Sequence, residues 1–129
     1  MDIFVLTNMI HHRFVFPVKI GTPAQTLFLI FDTGSGDLWV WSWQMPSSLL
    51  AYHRYGGYYN ASNSTSARQF VGQSFNIGYA SGSVYGNVYL DTIFVESDDG
   101  TRIGVAGEPI ECAQNLSPSF VSLPAVDGT

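Results

Sequence analysis

The sequence is poor in cysteine and in residues arranged as metal ligands. Cys112 is the single cysteine among 129 residues, so no internal disulfide can form. We expect Cys112 to be a small buried apolar side chain. The three histidines, His11, His12 and His53, have no partner at metal-ligand spacing and are expected to be solvated. The sequence therefore predicts neither a metal site nor another cofactor.

Positive charge is also scarce. Lys and Arg number 5 against 10 Asp and Glu, which gives a net charge of −5. Because no basic patch is available to neutralise phosphates, nucleic acid is excluded as a predicted partner.

No apolar run is long enough to span a membrane, and residues 1–6 lack the basic region that opens a secretory signal. We expect that the chain either is not exported as it stands or lacks the start of its precursor.

What the sequence does contain favours an all-β fold. Hydrophobic residues make up 46% and aromatic residues 15%, and the length predicts one domain over residues 1–129. Pro17 predicts an edge position or a bulge, and Gln73 lies at an expected register slip. Strands are predicted over 14–20, 26–31 (buried on both faces), 69–79, 84–95 and 102–111, with a weak strand in 1–12, turns at 21–25 and 98–101, a long loop over 42–67 and a helical turn over 117–120.

The most informative stretch is the turn that carries Asp32. Apolar runs flank it on both sides, Gly34 lets the backbone turn sharply, and Thr33 and Ser35 place hydroxyls beside the carboxylate. A carboxylate between buried strands is costly unless it is hydrogen-bonded or used in chemistry. The Asp-Thr-Gly triplet alone has ordinary turn composition. Its apolar flanks and the following Trp39 favour a functional site.

Four ordered motifs together resemble the N-terminal lobe of pepsin-like aspartic proteases. They are 20–23, the Asp32 segment 31–40, the hairpin 77–83 followed by Gly86, and 110–120 with 125–128. Tyr79 follows Asp32 by 47 residues, as the family's flap requires, and the resemblance covers residues 13–128. The missing disulfide and the loop 45–48 are similar to the fungal, penicillopepsin-like branch. The resemblance implies an acid-protease lobe built of antiparallel sheets and hairpins.

The resemblance also implies roles for individual residues. Asp32 would be one half of a catalytic dyad, and Ser35 would bond its outer oxygen while Thr33 bonds across to a partner lobe. The Tyr79 hydroxyl would bond toward the Trp39 indole. The full implied set is Asp32 as the catalytic residue, Thr33, Gly34, Ser35 and Trp39 as its support, Tyr79, Ala80, Ser81 and Gly82 as the flap, and Ile30, Phe120 and Val126 as apolar specificity pockets.

One carboxylate is insufficient for this chemistry, because two must share a proton as they do in aspartic proteases. In the sequence, Asp37, Asp91 and Asp127 lack the hydroxyl-and-glycine setting, so the second Asp is expected from a missing C-terminal lobe. The family continues past Gly128 on a further strand, so we expect a fold that is incomplete at its C-terminus. We also expect an exposed apolar cleft face that causes self-association, and no activity of the chain alone.

The resemblance implies a peptide or protein substrate and an extracellular or vacuolar location. Two alternatives remain open: a homodimeric protease of retroviral type, in which a second copy supplies another Asp32, and a non-catalytic or truncated peptide-binding lobe. Three glycosylation sequons, 60–62, 63–65 and 115–117, slightly favour export, although Pro118 disfavours use of the last.

Overall fold

The computed structural model describes residues 8–10, 13–30, 38–53, 57–79, 82–117 and 128. The described residues contain seven strands, one α-helix and one short 3-10 helix. In chain order the elements are β1 Asn8–Ile10, β2 Arg13–Ile20, β3 Gln25–Ile30, β4 Trp39–Trp41, α1 Ser47–Tyr52, the 3-10 helix Ala61–Asn63, β5 Arg68–Tyr79, β6 Gly82–Glu96 and β7 Arg102–Leu116. The all-β class predicted from the sequence is confirmed.

All seven strands belong to one sheet, in which β1, β2, β6, β7 and β4 are successive neighbours. Strand β3 pairs with β2, and β5 pairs with β6. Every pairing between these strands is antiparallel except that of β4 with β7, which is parallel. The predicted hairpins therefore form the sheet. Its last long strand, β7, lies beside the short β4.

The hairpin of β2 and β3 leads directly to the Asp32 turn. Its register pairs Ile20 with Gln25 at the turn and Val15 with Ile30 at the far end. Pro17 has Phe28 as its partner on one side, while β1 and β6 pair with the two ends of β2 on the other side. Strand β2 therefore resembles an edge strand only in its middle, around Pro17, where the missing N–H of proline is tolerated.

Strand β3 corrects one expectation. Leu27 and Leu29 are buried, but Thr26 is exposed and Phe28 is 39% exposed. The strand therefore has one buried and one solvent-facing side along most of its length, and the prediction of burial on both faces was wrong. Because Phe28 is apolar although it lies on the exposed face, residues 27–31 form a continuous apolar stretch that resembles a strand buried on both faces.

Strands β5, β6 and β7 form a long meander. Tyr79 pairs with Gly82 at the first turn, and Glu96 pairs with Arg102 at the second. The pairing of β5 and β6 shifts register between Gln69 and Ser74, which confirms the slip expected near Gln73. Strand β7 extends to Leu116, further than the sequence predicted.

Two clusters of buried side chains form the core. The first draws its members from β2, β3, β4, β7 and the segment around the 3-10 helix, and the second from β4, β5, β6, β7 and Met45. Their buried members are Val18, Ile20, Leu27, Leu29, Val40, Tyr59, Ala61, Ile110 and Cys112 in the first, and Trp39, Trp41, Met45, Phe75, Val84, Val88, Ala113 and Leu116 in the second. Each large apolar side chain buried in this way contributes about 1.5–3 kcal/mol.

The segment 42–67 is more ordered than the expected loop, since it contains α1 and the 3-10 helix. Tyr59 is completely buried, and its backbone amide donates to the Trp41 carbonyl at 2.8 Å. Trp43 meets the Tyr59 ring edge-on, so aromatic residues attach this segment to the sheet. His53 is 5% exposed and stacks on Trp41 with ring centroids 4.0 Å apart. The expectation that His53 is solvated was therefore wrong.

Candidate active-site frame

Strands β3 and β4 flank the predicted Asp32 turn in the sequence. Strand β3 ends at Ile30 and β4 begins at Trp39. Residues 31–37, which include Asp32, Thr33, Gly34 and Ser35, lie outside the described residues, so their predicted roles stay predictions. The frame that carries the turn is nevertheless fully described on both sides.

Gly128 lies between these two strands and joins them. The Ile30 amide donates to the Gly128 carbonyl at 2.9 Å, and Gly128 forms an antiparallel bridge with Val40. A Cβ at Gly128 would lie 2.0 Å from the Trp39 carbonyl oxygen. Because a side chain there would collide with backbone, only glycine permits this approach. Gly128 thus joins the two strands that flank the predicted Asp32 turn.

The strand that leaves the Asp32 turn packs against the predicted flap hairpin. Trp39 is 2% exposed and belongs to the same buried cluster as Phe75 of β5 and Val84 of β6. The side chain of Tyr79 and the residues Ala80 and Ser81 lie outside the described parts of the chain. The pairing of Tyr79 with Gly82 is the last described pair of this hairpin.

Close packing and backbone hydrogen bonds hold this hairpin against the following residues. A Cβ at Gly86 would lie 1.9 Å from the Cys112 carbonyl oxygen, so β6 approaches β7 too closely for a side chain at this position. This explains physically why the flap-like motif has a glycine after its tip. Nearer the tip, the Ser83 amide donates to Ser117 Oγ at 2.7 Å, and the Ser117 amide donates to the Ser83 carbonyl at 2.9 Å.

Ile30 lines an apolar groove next to the frame. The groove has a volume of about 280 Å³, and its walls come from β2, β3, the end of β6 and the start of β7. Ile30 itself is 7% exposed. Phe120 and Val126, the other predicted pocket residues, lie outside the described residues. Lining residues besides Ile30 are Phe16, Val18, Leu29, Leu38, Ile93, Phe94, Val95, Ile103, Gly104 and Val105.

A buried carboxylate of β6, Asp91, lies next to the turn before β3. Asp91 is 1% exposed and accepts hydrogen bonds from Tyr59 Oη at 2.6 Å, Ser64 Oγ at 2.8 Å and Ser66 Oγ at 2.7 Å. The Thr92 amide donates to it at 2.7 Å. In the sequence Asp91 lacks the hydroxyl-and-glycine setting of Asp32, and in the fold its hydroxyl donors come from a distant loop and not from its sequence neighbours.

Hydrogen bonding decides the ionisation of this group. Burial raises the pKa of Asp91, but the hydrogen bonds from Tyr59, Ser66, Ser64 and the Thr92 amide outweigh burial and lower it below its ordinary value. Burial, together with the same carboxylate, raises the pKa of Tyr59 well above its ordinary value. Asp91 is therefore an ionised structural acceptor. Its four donors and its inaccessibility exclude it as the second acid of a catalytic dyad.

The Asp91 network anchors the approach to β3. Ser64 Oγ accepts from the Thr22 amide at 3.0 Å, and Ser66 Oγ lies 2.9 Å from Thr22 Oγ1. The Gly21 amide donates to the Thr92 carbonyl at 2.9 Å. The predicted turn at 21–25 is thus held by hydroxyls from the segment around the 3-10 helix. In the sequence, Asp91 lies in a predicted strand, and Ser64 and Ser66 lie in a loop without periodicity. No local pattern therefore indicates this network.

Two further features concern ligands and membranes. Within the described ranges, no group of three or more His, Cys, Asp or Glu side chains is placed to hold a metal ion. Of the helices in the described residues, none has the length and apolar character needed to cross a bilayer.

Comparison with known proteins defines the class of protein. The family model for eukaryotic aspartyl proteases matches residues 13–128, so the chain belongs to that family. The resemblance drawn from the four motifs is thereby confirmed, over the same residues.

The most informative relatives are fungal. The chain is 40% identical over 116 residues to endothiapepsin of Cryphonectria parasitica, covering 89% of this chain and 26% of that protein. It is 38% identical over 117 residues to penicillopepsin-1 of Penicillium rubens, covering 90% of this chain and 26% of that protein. The aspartic proteinase from Irpex lacteus has the same fold, with a TM-score of 0.63 at 23% identity over 90% of this chain and 27% of that one. The chain therefore spans about a quarter of the length of these relatives.

Proposed function

We propose that this chain supplies the first catalytic carboxylate, Asp32, of an aspartic endopeptidase. The observation that carries the proposal is the family match, which spans the Asp32 turn and the β5–β6 hairpin together. The junction of β3, Gly128 and β4 supports it, since it holds both ends of the turn in one backbone frame.

The proposed chemistry is hydrolysis of a peptide bond by water. Two carboxylates a few ångström apart cannot both ionise, so they share one proton. The ionised carboxylate takes a proton from water as the water oxygen attacks the scissile carbonyl carbon. The protonated carboxylate polarises the carbonyl oxygen and then transfers a proton to the leaving nitrogen, which breaks the C–N bond. Asp32 provides one of these groups, flanked by the hydroxyls of Thr33 and Ser35.

The hairpin tip is proposed to cover the substrate. Trp39 and the β5–β6 hairpin share one buried cluster, which supports a hydrogen bond between the Tyr79 hydroxyl and Trp39, in which the indole N–H donates to the hydroxyl oxygen. Ser81 and Gly82 would contact the substrate backbone. Ile30 lines the apolar groove, and with Phe120 and Val126 it is proposed to select apolar substrate side chains.

The second carboxylate is proposed to come from a second lobe. The full lengths of the relatives, of which this chain covers about a quarter, leave room for that lobe on one longer polypeptide. Residues 1–129 would then act as a single unit, the N-terminal lobe. The substrate is a peptide or protein, and an extracellular location fits the fungal relatives, with the vacuole as the second candidate.

A chimera tests the assignment. Residues 13–128 would replace the corresponding segment of endothiapepsin, so that the second carboxylate is supplied in its own lobe. We expect cleavage of a fluorogenic peptide at acidic pH, inhibited by pepstatin. Asp32→Ala in this chimera should reduce kcat by at least about 10²–10⁴-fold, because the acid–base group is lost. The matched control is Asp98→Asn, an exposed carboxylate in the turn between β6 and β7.

The outcomes separate the alternatives. Turnover that survives Asp32→Ala, or a folded chimera with no turnover, contradicts the proposed function. Activity of the 129-residue chain alone that rises with the square of its concentration supports the homodimeric alternative instead. Pepstatin binding that Asp32→Asn leaves unchanged, without turnover in any mixture, supports a non-catalytic peptide-binding lobe.

A further inference from the structure

The three sequons occupy very different structural positions. Asn63 at the end of the 3-10 helix and Thr65 just beyond it are both exposed, and the Thr65 hydroxyl donates to the Thr22 carbonyl at 3.3 Å. No hydrogen bond of the Asn63 side chain is present among the described residues, whereas the other two sequon asparagines both use their side chains. These differences show which sequon can carry a glycan in the folded chain.

Asn60 is held by local and tertiary hydrogen bonds. Its Oδ1 accepts from the Ser62 amide at 3.0 Å and from Ser62 Oγ at 2.5 Å. Its backbone amide donates to Gln25 Oε1 at 2.8 Å, and its carbonyl accepts from Gln25 Nε2 at 2.9 Å. Asn60 therefore caps the 3-10 helix and lies against the start of β3, with both the asparagine and the hydroxyl of its sequon engaged.

Asn115 lies inside a paired strand. It is opposite Tyr85 in the β6–β7 register, and its Nδ2, the atom that would carry a glycan, donates to Tyr85 Oη at 3.5 Å. The sequon hydroxyl, Ser117 Oγ, accepts from the Ser83 amide at 2.7 Å. A glycan at Asn115 would disrupt the base of the hairpin, and Pro118 follows directly.

We propose that Asn63 is an N-glycosylation site of this protein and that Asn60 and Asn115 remain unmodified in the folded, exported form. The inference rests on the proposed export of the protein. The donor is a lipid-linked oligosaccharide diphosphate of the secretory pathway. A bond forms between Asn63 Nδ2 and the anomeric carbon of the first sugar, the bond from that carbon to the diphosphate oxygen breaks, the lipid diphosphate leaves, and the amide proton passes to a base of the transferase.

The position of Asn63 also explains why the modification is compatible with folding. The middle residue of its sequon, Ser64, is buried and bonded to Asp91, while Asn63 and Thr65 on either side face solvent. A glycan at Asn63 would extend into water from the outside of the Asp91 network. It would add bulk to the surface without entering the sheet or its core.

The test uses the complete 129-residue chain with an appended secretion signal, produced in a glycosylating yeast. The signal makes the result independent of the natural export route and of catalysis by Asp32. We expect removal of N-glycans with an amidase to lower the intact mass by one core glycan. Trypsin cleaves after Arg54 and Arg68, so Asn60 and Asn63 share the peptide 55–68. Deglycosylation in heavy-oxygen water, followed by fragmentation, then identifies the labelled residue.

Matched variants make the result specific. Asn63→Gln and Thr65→Ala should abolish the mass shift, while Thr65→Ser should keep it. Asn60→Gln, Ser62→Ala and Asn115→Gln should leave a single shift in place. If the chain stays inside the cell, the membrane fraction is analysed in the same way. An unshifted wild-type chain, or heavy-oxygen label at Asn60 or Asn115, with or without label at Asn63, would overturn the proposal.

Discussion

Replacing Asp91 should destabilise the chain more than replacing any exposed carboxylate. Asp91→Ala removes the acceptor of four hydrogen bonds at a site that is 1% exposed. A hydrogen bond to a charged group contributes about 1.5–3 kcal/mol, and a buried donor left without an acceptor costs about 1–3 kcal/mol. Ser64 Oγ and Ser66 Oγ lie 3.2 Å apart and can bond each other after the change. The uncompensated donors are then the Tyr59 hydroxyl and the Thr92 amide.

From these terms we expect Asp91→Ala to lower the free energy of unfolding by about 3–5 kcal/mol. Asp91→Asn keeps one acceptor oxygen and the side-chain volume, so it should cost about 1–3 kcal/mol. The assay is equilibrium urea unfolding followed by tryptophan fluorescence, with Asp98→Asn as the exposed control. A loss for Asp91→Ala that is no larger than that of the control would refute the reasoning.

The same network predicts a pH dependence. The folded pKa of Asp91 is lower than its ordinary value of 3.8, so the folded state binds this proton less readily than the unfolded state does. The stabilisation is therefore present above pH of about 4 and is lost as pH falls through the folded pKa. Urea midpoints of the wild-type chain should fall on acidification below about pH 4, and Asp91→Asn should lack that component. An identical acid dependence in the two proteins would contradict an ionised Asp91.

Two other predictions concern the close approach of β6 to β7 at Gly86 and the burial of the Cys112 thiol. Gly86→Ala should destabilise the chain by about 2 kcal/mol or more, because its Cβ would lie 1.9 Å from the Cys112 carbonyl oxygen. Gly78→Ala is the control, since no atom lies within 4 Å of a Cβ there, and equal urea midpoints for the two variants would count against this contact. The Cys112 thiol should not react with a disulfide reagent in the native chain, because it is completely buried and burial raises its pKa to about 12. Labelling as fast in buffer as in urea would contradict that burial.

The parts of the fold that could be predicted from the sequence depend on local rules. Alternating apolar residues gave the long strands, and turn residues gave the hairpin ends at 21–25 and 98–101. The spacing of motifs around Asp32, Tyr79 and Gly86 indicated the family before any contact was known. Each of these motifs can be recognised in a single sequence because the residues within it are close along the chain.

The amino-acid sequence by itself determined the strand order along the chain, the glycines at the hairpin and the Asp-Thr-Gly turn with its apolar flanks. Only the tertiary structure decided that Asp91 is a buried acceptor, that His53 stacks on Trp41 and that Phe28 faces solvent. The physical reason is separation along the chain. The Tyr59–Asp91 hydrogen bond joins residues 32 positions apart, and the bond from Ser42 Oγ to the Ala113 carbonyl joins residues 71 apart. Residue pairs at such distances meet only after the sheet has brought their strands together, so no local pattern records them.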